Sequence, residues 1–165
     1  MDPVSTAEVL AKAIQAEGGA TLIFPGKLAI DDNAASVPQM VAEFLGMPHT
    51  SVVSKFTNGA ESVVVERDVE GGAKEVVQMA KPAVISANTG LNMPRYASLP
   101  GIMKAKKKVL KELDLAGLGV TPQAKTKVLA LELPPDKPAV KMISGDANQQ
   151  VAELVRALRD DAKVL

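Results

Sequence analysis

The sequence of 165 residues has no cysteine and no tryptophan, one histidine, one tyrosine and three phenylalanines. Without cysteine, disulfides, thiolate metal sites and cysteine nucleophiles are excluded. His49 has no second histidine or thiol with which to share a metal, so a turn or surface position is expected for it. Aromatics make up only 2%, and the 47% hydrophobic content comes mostly from Ala, Val, Leu and Met, which favours a sheet covered by alanine-rich helices over an aromatic-packed sandwich. Lys plus Arg balance Asp plus Glu at 19 each, and no basic segment carries stacking aromatics, so nucleic acid is not an expected partner. No apolar run approaches the length of a bilayer span, so the chain is not expected to be membrane-embedded. Asp2 and Glu8 stand where a signal peptide needs positive charge and then an apolar run. The expected compartment is the cytoplasm of a bacterium, or the mitochondrial matrix in a eukaryote.

What the chain does contain is the punctuation of an α/β sheet. Ser5 or Thr6 followed by an apolar stripe of Ala7, Leu10, Ala11 and Ile14, with Gly18 and Gly19 as the stop, predicts a capped helix. Thr21 to Phe24 reads as a short strand, Gly26 to Asn33 as a loop, and Pro38 to Leu45 as a helix closed by Gly46. Three β-type segments follow, Ser51 to Phe56, Ser62 to Arg67 and Lys74 to Met79. They are separated by Asn58-Gly59 and Gly71-Gly72, which signal tight hairpins and hence a meander. Ala83 to Ala87 reads as a buried strand. Beyond Lys111, Leu115 to Pro138 reads as an arm around one extended run, Thr126 to Leu133. A helix from about Asn148 to Ala162 carries Val151, Leu154, Val155 and Leu158 on one narrow face. The predicted fold is an α/β open, mostly parallel sheet with flavodoxin-type layering, an antiparallel meander insertion and a C-terminal arm plus helix. Residues 1–114 form the α/β part, and 115–165 an arm and helix suited to packing on a partner.

Two loops stand where ligands gather in such sheets, at the carboxyl ends of strands. In the first, Gly26 lets backbone approach a ligand, Lys27 brings a cation, and the following helix offers its unpaired amides to an anion. It is not a P-loop, since Gly19 and Gly26 are too far apart and Leu28 stands where a Mg²⁺-binding hydroxyl is needed. Asp31 and Asp32 are sequence neighbours and point apart, so they do not make an acid/base pair. No nucleophile, base and orienter can be assembled, and no catalytic residue is expected. The second loop opens the stretch Asn88 to Lys111, which has no acidic residue but contains Arg95, Lys104, Lys106, Lys107, Lys108 and Lys111. Pro94 and Pro100 bracket a short stiff loop from Arg95 to Leu99 holding Tyr96. Ile102, Ala105, Val109 and Leu113 then fall on one helical stripe among the lysines. Such a local excess of charge in a neutral chain calls for an acidic partner.

The wording of that second segment, Leu91-Asn92-x-Pro94-Arg95-Tyr96-Ala97-Ser98-Leu99-Pro100-x-Ile102-Met103-Lys104-Ala105-Lys106-Lys107-Lys108, closely resembles the signature of the electron transfer flavoprotein β subunit. Gly26-Lys27-x-Ala29-Ile30-Asp31-Asp32 is similar to that family's GKQAIDDD loop, and Val65 to Gly72 to its VEREIDGG hairpin. The resemblance implies that Gly26, Lys27, Leu28, Ala29, Ile30, Asp31, Asp32, Asn33, Ala34, Ala35, Ser36 and Val37 form an AMP loop. It also implies that Arg95, Tyr96, Leu99, Pro100, Ile102, Met103, Lys104, Lys106, Lys107 and Lys108 recognise partner dehydrogenases, with Leu99 as the anchor. Asp68 stands where a β-subunit glutamate pairs with an arginine of the α subunit. Leu28 replaces the usual glutamine, Asn33 the third aspartate, Val37-Pro38-Gln39 the usual Thr or Val, Gly, Gln, Met93 a usual glutamate and Gly90 a usual arginine.

What the family does is then the expectation here. An α subunit holds most of the FAD, electrons pass from acyl-CoA and other dehydrogenases to a quinone reductase, and the β chain carries out no bond chemistry. The similarity runs from about Thr6 to Leu158 and corresponds to the later part of a β subunit, whose upstream portion supplies the first strand of the sheet. A fragment, a shortened gene and a sheet completed by another chain all satisfy this. The alternative function is a stand-alone adenine-nucleotide-binding module without electron transfer.

Overall fold

A computed structural model describes residues 1–137 and 139–165, so Pro138, where the predicted arm ends, lies outside the described residues. The chain forms two compact units, Met1–Lys127 and Val128–Leu165. Residues 115–127, which the sequence groups with the arm, lie in the first unit, where Val120 is buried.

In the first unit, α1 spans Pro3–Ala16 and α2 spans Val37–Leu45. The N-cap of α1 is Asp2 rather than Ser5 or Thr6. Its carboxylate accepts the Ser5 amide at 2.9 Å, and Pro3 occupies the first turn, so Ser5 is already inside the helix and buried. The helix stops at Gly18 and Gly19, both left-handed, with the Gly19 amide donating to the Ile14 carbonyl and Gly18 to Gln15. Ala7 and Ala11 of the predicted stripe are buried, whereas Leu10 is 44% exposed. α2 ends on Gly46 (φ 66°) as expected. Buried Ala7, Ala11, Val41 and Ala42 are the small residues through which these two helices pack, and α2 lies against the sheet.

The sheet is open and five-stranded, with β1 (Leu22–Ile23), β2 (His49–Asn58), β3 (Ser62–Asp68), β4 (Lys74–Ala80) and β5 (Ala83–Ala87) in the order β1-β5-β2-β3-β4. Pairings of β5 with β1 and β2 are parallel, and those of β3 with β2 and β4 antiparallel. The α/β half and the meander therefore share β2. The switch occurs at a bulge: the register of β2 slips against β5 between Thr50 and Val53, and against β3 between Val53 and Lys55. Val52, inside it, has φ 62°, a left-handed conformation that costs a β-branched residue roughly 1–3 kcal/mol. The predicted tight hairpins have longer connections than the dipeptides alone. Gly59 opens a three-residue turn, where any Cβ would sit 2.8 Å from the Ser62 carbonyl oxygen. Gly71 and Gly72, both left-handed, lie in a five-residue connection. The core comprises Val53, Val63, Val65, Met79, Ala83 and Ile85, with Leu22, Phe56, Val77 and Leu91 packed against it. Phe24 meets Phe56 edge to face at 5.2 Å.

The basic helix is shorter than its stripe predicts. α3 spans Leu99–Ala105, and Val109 and Leu113 lie beyond it. Adjacent lysines repel, no acid in the segment offsets them, and Val109 and Leu110 bury almost nothing, so no packing sustains further turns. Lys111 instead forms an ion pair with Glu17 at the end of α1.

In the second unit, α4 spans Ala147–Arg156, opened by a capping box between Asp146 and Gln149, and continues as a π-helical turn, Ala157–Asp161. Val151, Leu154 and Val155 on its apolar face are exposed. The run Thr126–Leu133 is in no strand, since Val128, Leu129, Leu131 and Leu133 find neither a ladder nor a core. No helix among the described residues is long and apolar enough to cross a membrane.

Candidate functional site

β1 and β5 are parallel neighbours, so the segments leaving their carboxyl ends start side by side. The Ala87 amide donates to the Pro25 carbonyl at 2.9 Å, and Gly26 bridges Ala87 in parallel register. From this point the chain after β1 runs into a loop leading to α2, and the chain after β5 runs into the proline-bracketed segment.

The first loop encloses a cleft of about 380 Å³, within the usual range for small-molecule sites. Gly26 to Ala29, Asp32 and Ala34 to Val37 line it, so most of the predicted nucleotide-loop residues converge. Ile30, Asp31 and Asn33 do not line it, and Ile30 is 90% exposed. The loop turns as the Asn33 amide donates to the Ala29 carbonyl (3.0 Å) and the Ala34 amide to Asp32 Oδ1 (3.0 Å). Asn33 (φ 52°) and Ala35 (φ 49°) are left-handed, a conformation that asparagine tolerates and alanine rarely adopts. Ser36 stands at the N-cap of α2 without capping it through its side chain, leaving its hydroxyl and the Val37 and Gln39 amides for another acceptor. Pro38 has no amide to offer. The other wall is Met1, Pro3 and Thr6, which sequence reasoning missed. No local pattern marks them, because α1 reaches the cleft only by packing on α2.

Asp2 sits among those wall residues. Its Oδ1 accepts the Ser5 amide, and its Oδ2 accepts the amides of Lys125 and Thr126, the latter at 3.1 Å. The Ser5 amide above all, with those of Lys125 and Thr126, pulls its carboxyl from 3.8 down to about 2, against the opposing effect of burial. A depressed carboxyl stabilises the fold above the unfolded value, and that contribution fades as pH falls through the folded one. Asp2→Asn is therefore expected to lower the urea midpoint at pH 6, with the deficit against wild type shrinking between pH 4 and pH 2. A deficit independent of pH would contradict this assignment.

The second loop is anchored at its base and free at its tip. The Asn88 amide donates to the Val53 carbonyl at 2.9 Å, the Asn88 side-chain amide to Asp68 Oδ2 at 3.2 Å, and Leu91 packs on the core. Beyond it Met93 and Tyr96 are fully presented. Leu99, at 73% exposure, is the first residue of α3, where Ser98 caps the helix by accepting the Gly101 amide at 3.2 Å. Ile102, Met103 and the lysines at 104, 106, 107 and 108 follow it in the chain and are likewise exposed. Arg95 and Pro100 are exposed in the same stretch.

Asp68 lies at the end of β3. Its carboxyl is held below the ordinary range chiefly by Lys74, with help from Asn88 and Ser54. Among the described residues no cluster of His, Asp or Glu is arranged to hold a metal, and His49 is exposed at the start of β2.

Residues 1–118 match the family model described as electron transfer flavoprotein domain. The chain is 42% identical over 147 residues to the electron transfer flavoprotein subunit beta of Bacillus subtilis (strain 168), a match covering 87% of this chain and 57% of that protein. It is 38% identical over 164 residues to the protein of the same name in Sus scrofa, covering 99% of this chain and 62% of the relative. It is 39% identical, over the same extent, to the mitochondrial subunit beta of Oryza sativa subsp. japonica. The chain thus spans about three fifths of the length of the curated relatives it matches.

Proposed function

The chain belongs to the electron transfer flavoprotein family, related to its β subunits, and we propose that it is the docking and scaffolding partner of an FAD-carrying α subunit. The observation that carries this reading is the pairing of two loops at the carboxyl ends of β1 and β5: a nucleotide-sized cleft beside a proline-bracketed, basic segment presenting Leu99.

In the cleft, AMP is the ligand we assign. Gly26, Ala29, Ala34 and Ala35 are small enough for backbone to approach it. The Ser36 hydroxyl and the first-turn amides of α2 suit its phosphate, and Lys27 adds a positive charge. FAD, held mainly by the α subunit, supplies the electron-carrying chemistry. This chain's contribution is to bind and to orient, with no catalytic residue of its own.

Leu99 docks into an apolar pocket of acyl-CoA and related dehydrogenases, and the lysines steer acidic surfaces toward it. Electrons leave to a quinone reductase. The segment 115–165 packs on the α subunit, for which the exposed Val151, Leu154 and Val155 offer an apolar stripe. Asp68, 43% exposed at its side chain, adds a polar contact to the α subunit. The compartment is the bacterial cytoplasm, or the mitochondrial matrix in a eukaryote.

Co-expression with an α subunit tests the reading. The expected product is a complex that copurifies, shows flavin absorbance and releases both FAD and AMP on denaturation. A chain that purifies alone with AMP and no flavin would instead be a stand-alone adenine-nucleotide-binding module.

A further inference from the structure

Asp68, at the end of β3, draws together side chains from β2, β4 and the loop after β5. Its Oδ1 accepts from Ser54 Oγ on β2 and pairs with Lys74 Nζ on β4, both at 3.2 Å. Its Oδ2 accepts from Asn88 Nδ2, on the first residue after β5, at 3.2 Å. Lys74 Nζ also donates to Ser54 Oγ at 3.2 Å, so the cluster is closed on itself. Asn88 is held twice, because its main-chain amide donates to the Val53 carbonyl at 2.9 Å. Val53 follows Val52, whose left-handed backbone lies where β2 slips against β5, and the slip against β3 begins at Val53 itself. A β-branched residue stays in that conformation only where its surroundings over-determine it. Here the two ladders and the Asn88 bond do so. The result is one rigid point, at the carboxyl end of β5, from which the exposed loop departs.

Resting on the reading of Asn88 to Leu99 as a docking loop, the structure assigns Asp68 a role within its own chain: it is the positioning residue that bolts the base of that loop to the meander. Both carboxylate oxygens are engaged across β2, β4 and the loop, and fixing residue 88 by side chain and main chain removes the rotation that would let the loop swing. Leu99 is then presented with little ordering left to complete on binding, which is how a preorganised anchor gains affinity.

Hydrogen–deuterium exchange on the full chain tests this, comparing the loop amides of Asn88 and Leu91 with those of β5 in wild type, Asp68→Ala, Asn88→Ala and the double variant. Each single substitution is expected to speed loop exchange roughly tenfold, the effect of losing a hydrogen bond to a charged group, while β5 is unchanged. The double variant should be no faster than the faster single, since both remove one shared contact. Asp68→Glu, which restores the carboxylate, should recover most of the protection. Additive effects, equal acceleration in β5 and the loop, or wild-type loop exchange in Asn88→Ala would each overturn the assignment. If Asp68→Ala does not fold, Asn88→Ala decides alone, because it leaves the Asp68–Lys74 pair in place. No partner takes part, so a negative result here leaves the docking reading standing, and failure of docking leaves this result intact.

Discussion

Replacing Leu99 with alanine is expected to slow flavin reduction by a dehydrogenase roughly tenfold to thirtyfold at limiting donor, without changing the flavin content of the complex with an α subunit. Leu99 is 73% exposed in the free chain, so most of its apolar surface remains to be buried on docking. Burying a leucine is worth about 1.5–3 kcal/mol, and truncation to alanine forfeits most of it, about 1.4–2 kcal/mol here. Pro100 and the Ser98 cap hold residue 99 at the start of α3, so the loss is felt as affinity and not as added disorder. Added salt separates the anchor from the lysines: wild type and Leu99→Ala should both slow as ionic strength rises, by the same factor, because steering and anchoring are independent. An unaltered reduction rate for Leu99→Ala would remove Leu99 from the docking role.

Ile85→Ala is expected to destabilise the fold by about 2–5 kcal/mol, the cost of a cavity in a core that cannot collapse around it. Ile85 is fully buried on β5, flanked by β1 and β2 on either side, and it packs with Val53, Val65 and Met79. Backbone pairing on both edges prevents the strand from closing the gap. Urea denaturation would read the change as a lower midpoint with an unchanged slope. Val76→Ala on β4, where the side chain is 66% exposed, should move the same curve by less than about 0.5 kcal/mol. Equal effects at the two positions would mean that the hydrophobic cluster around β5 is not the core.

Much of this was legible because it is local. The β-type texture of the segments that became β2, β3, β4 and β5, the glycine stops of α1 and α2, and the stiffness between Pro94 and Pro100 each depend on residues a few positions apart. The loops at strand ends were found for the same reason, and the order of strand, loop and helix already pointed to the ends where ligands gather. At the start of α1 two hydroxyl residues compete with Asp2 for the N-cap, and the position of Pro3 in the first turn settles the choice for Asp2. The lysine helix was overextended because periodicity ignores charge repulsion and the want of anything to pack against.

By itself, the sequence determined the kinds of element in the sheet and its helices, and the family, since composition, turns and motif wording are properties of contiguous stretches. Only the tertiary structure decided that β5 lies between β1 and β2, which brings the cleft loop beside the basic, proline-bracketed loop. It also decided that Met1, Pro3 and Thr6 wall the cleft, that Asp2 holds Lys125 and Thr126, and that Asp68 reaches Asn88. Each of these contacts joins residues far apart in the chain. Strand order and register come from burying one common core, a constraint on all the segments together that no single segment carries.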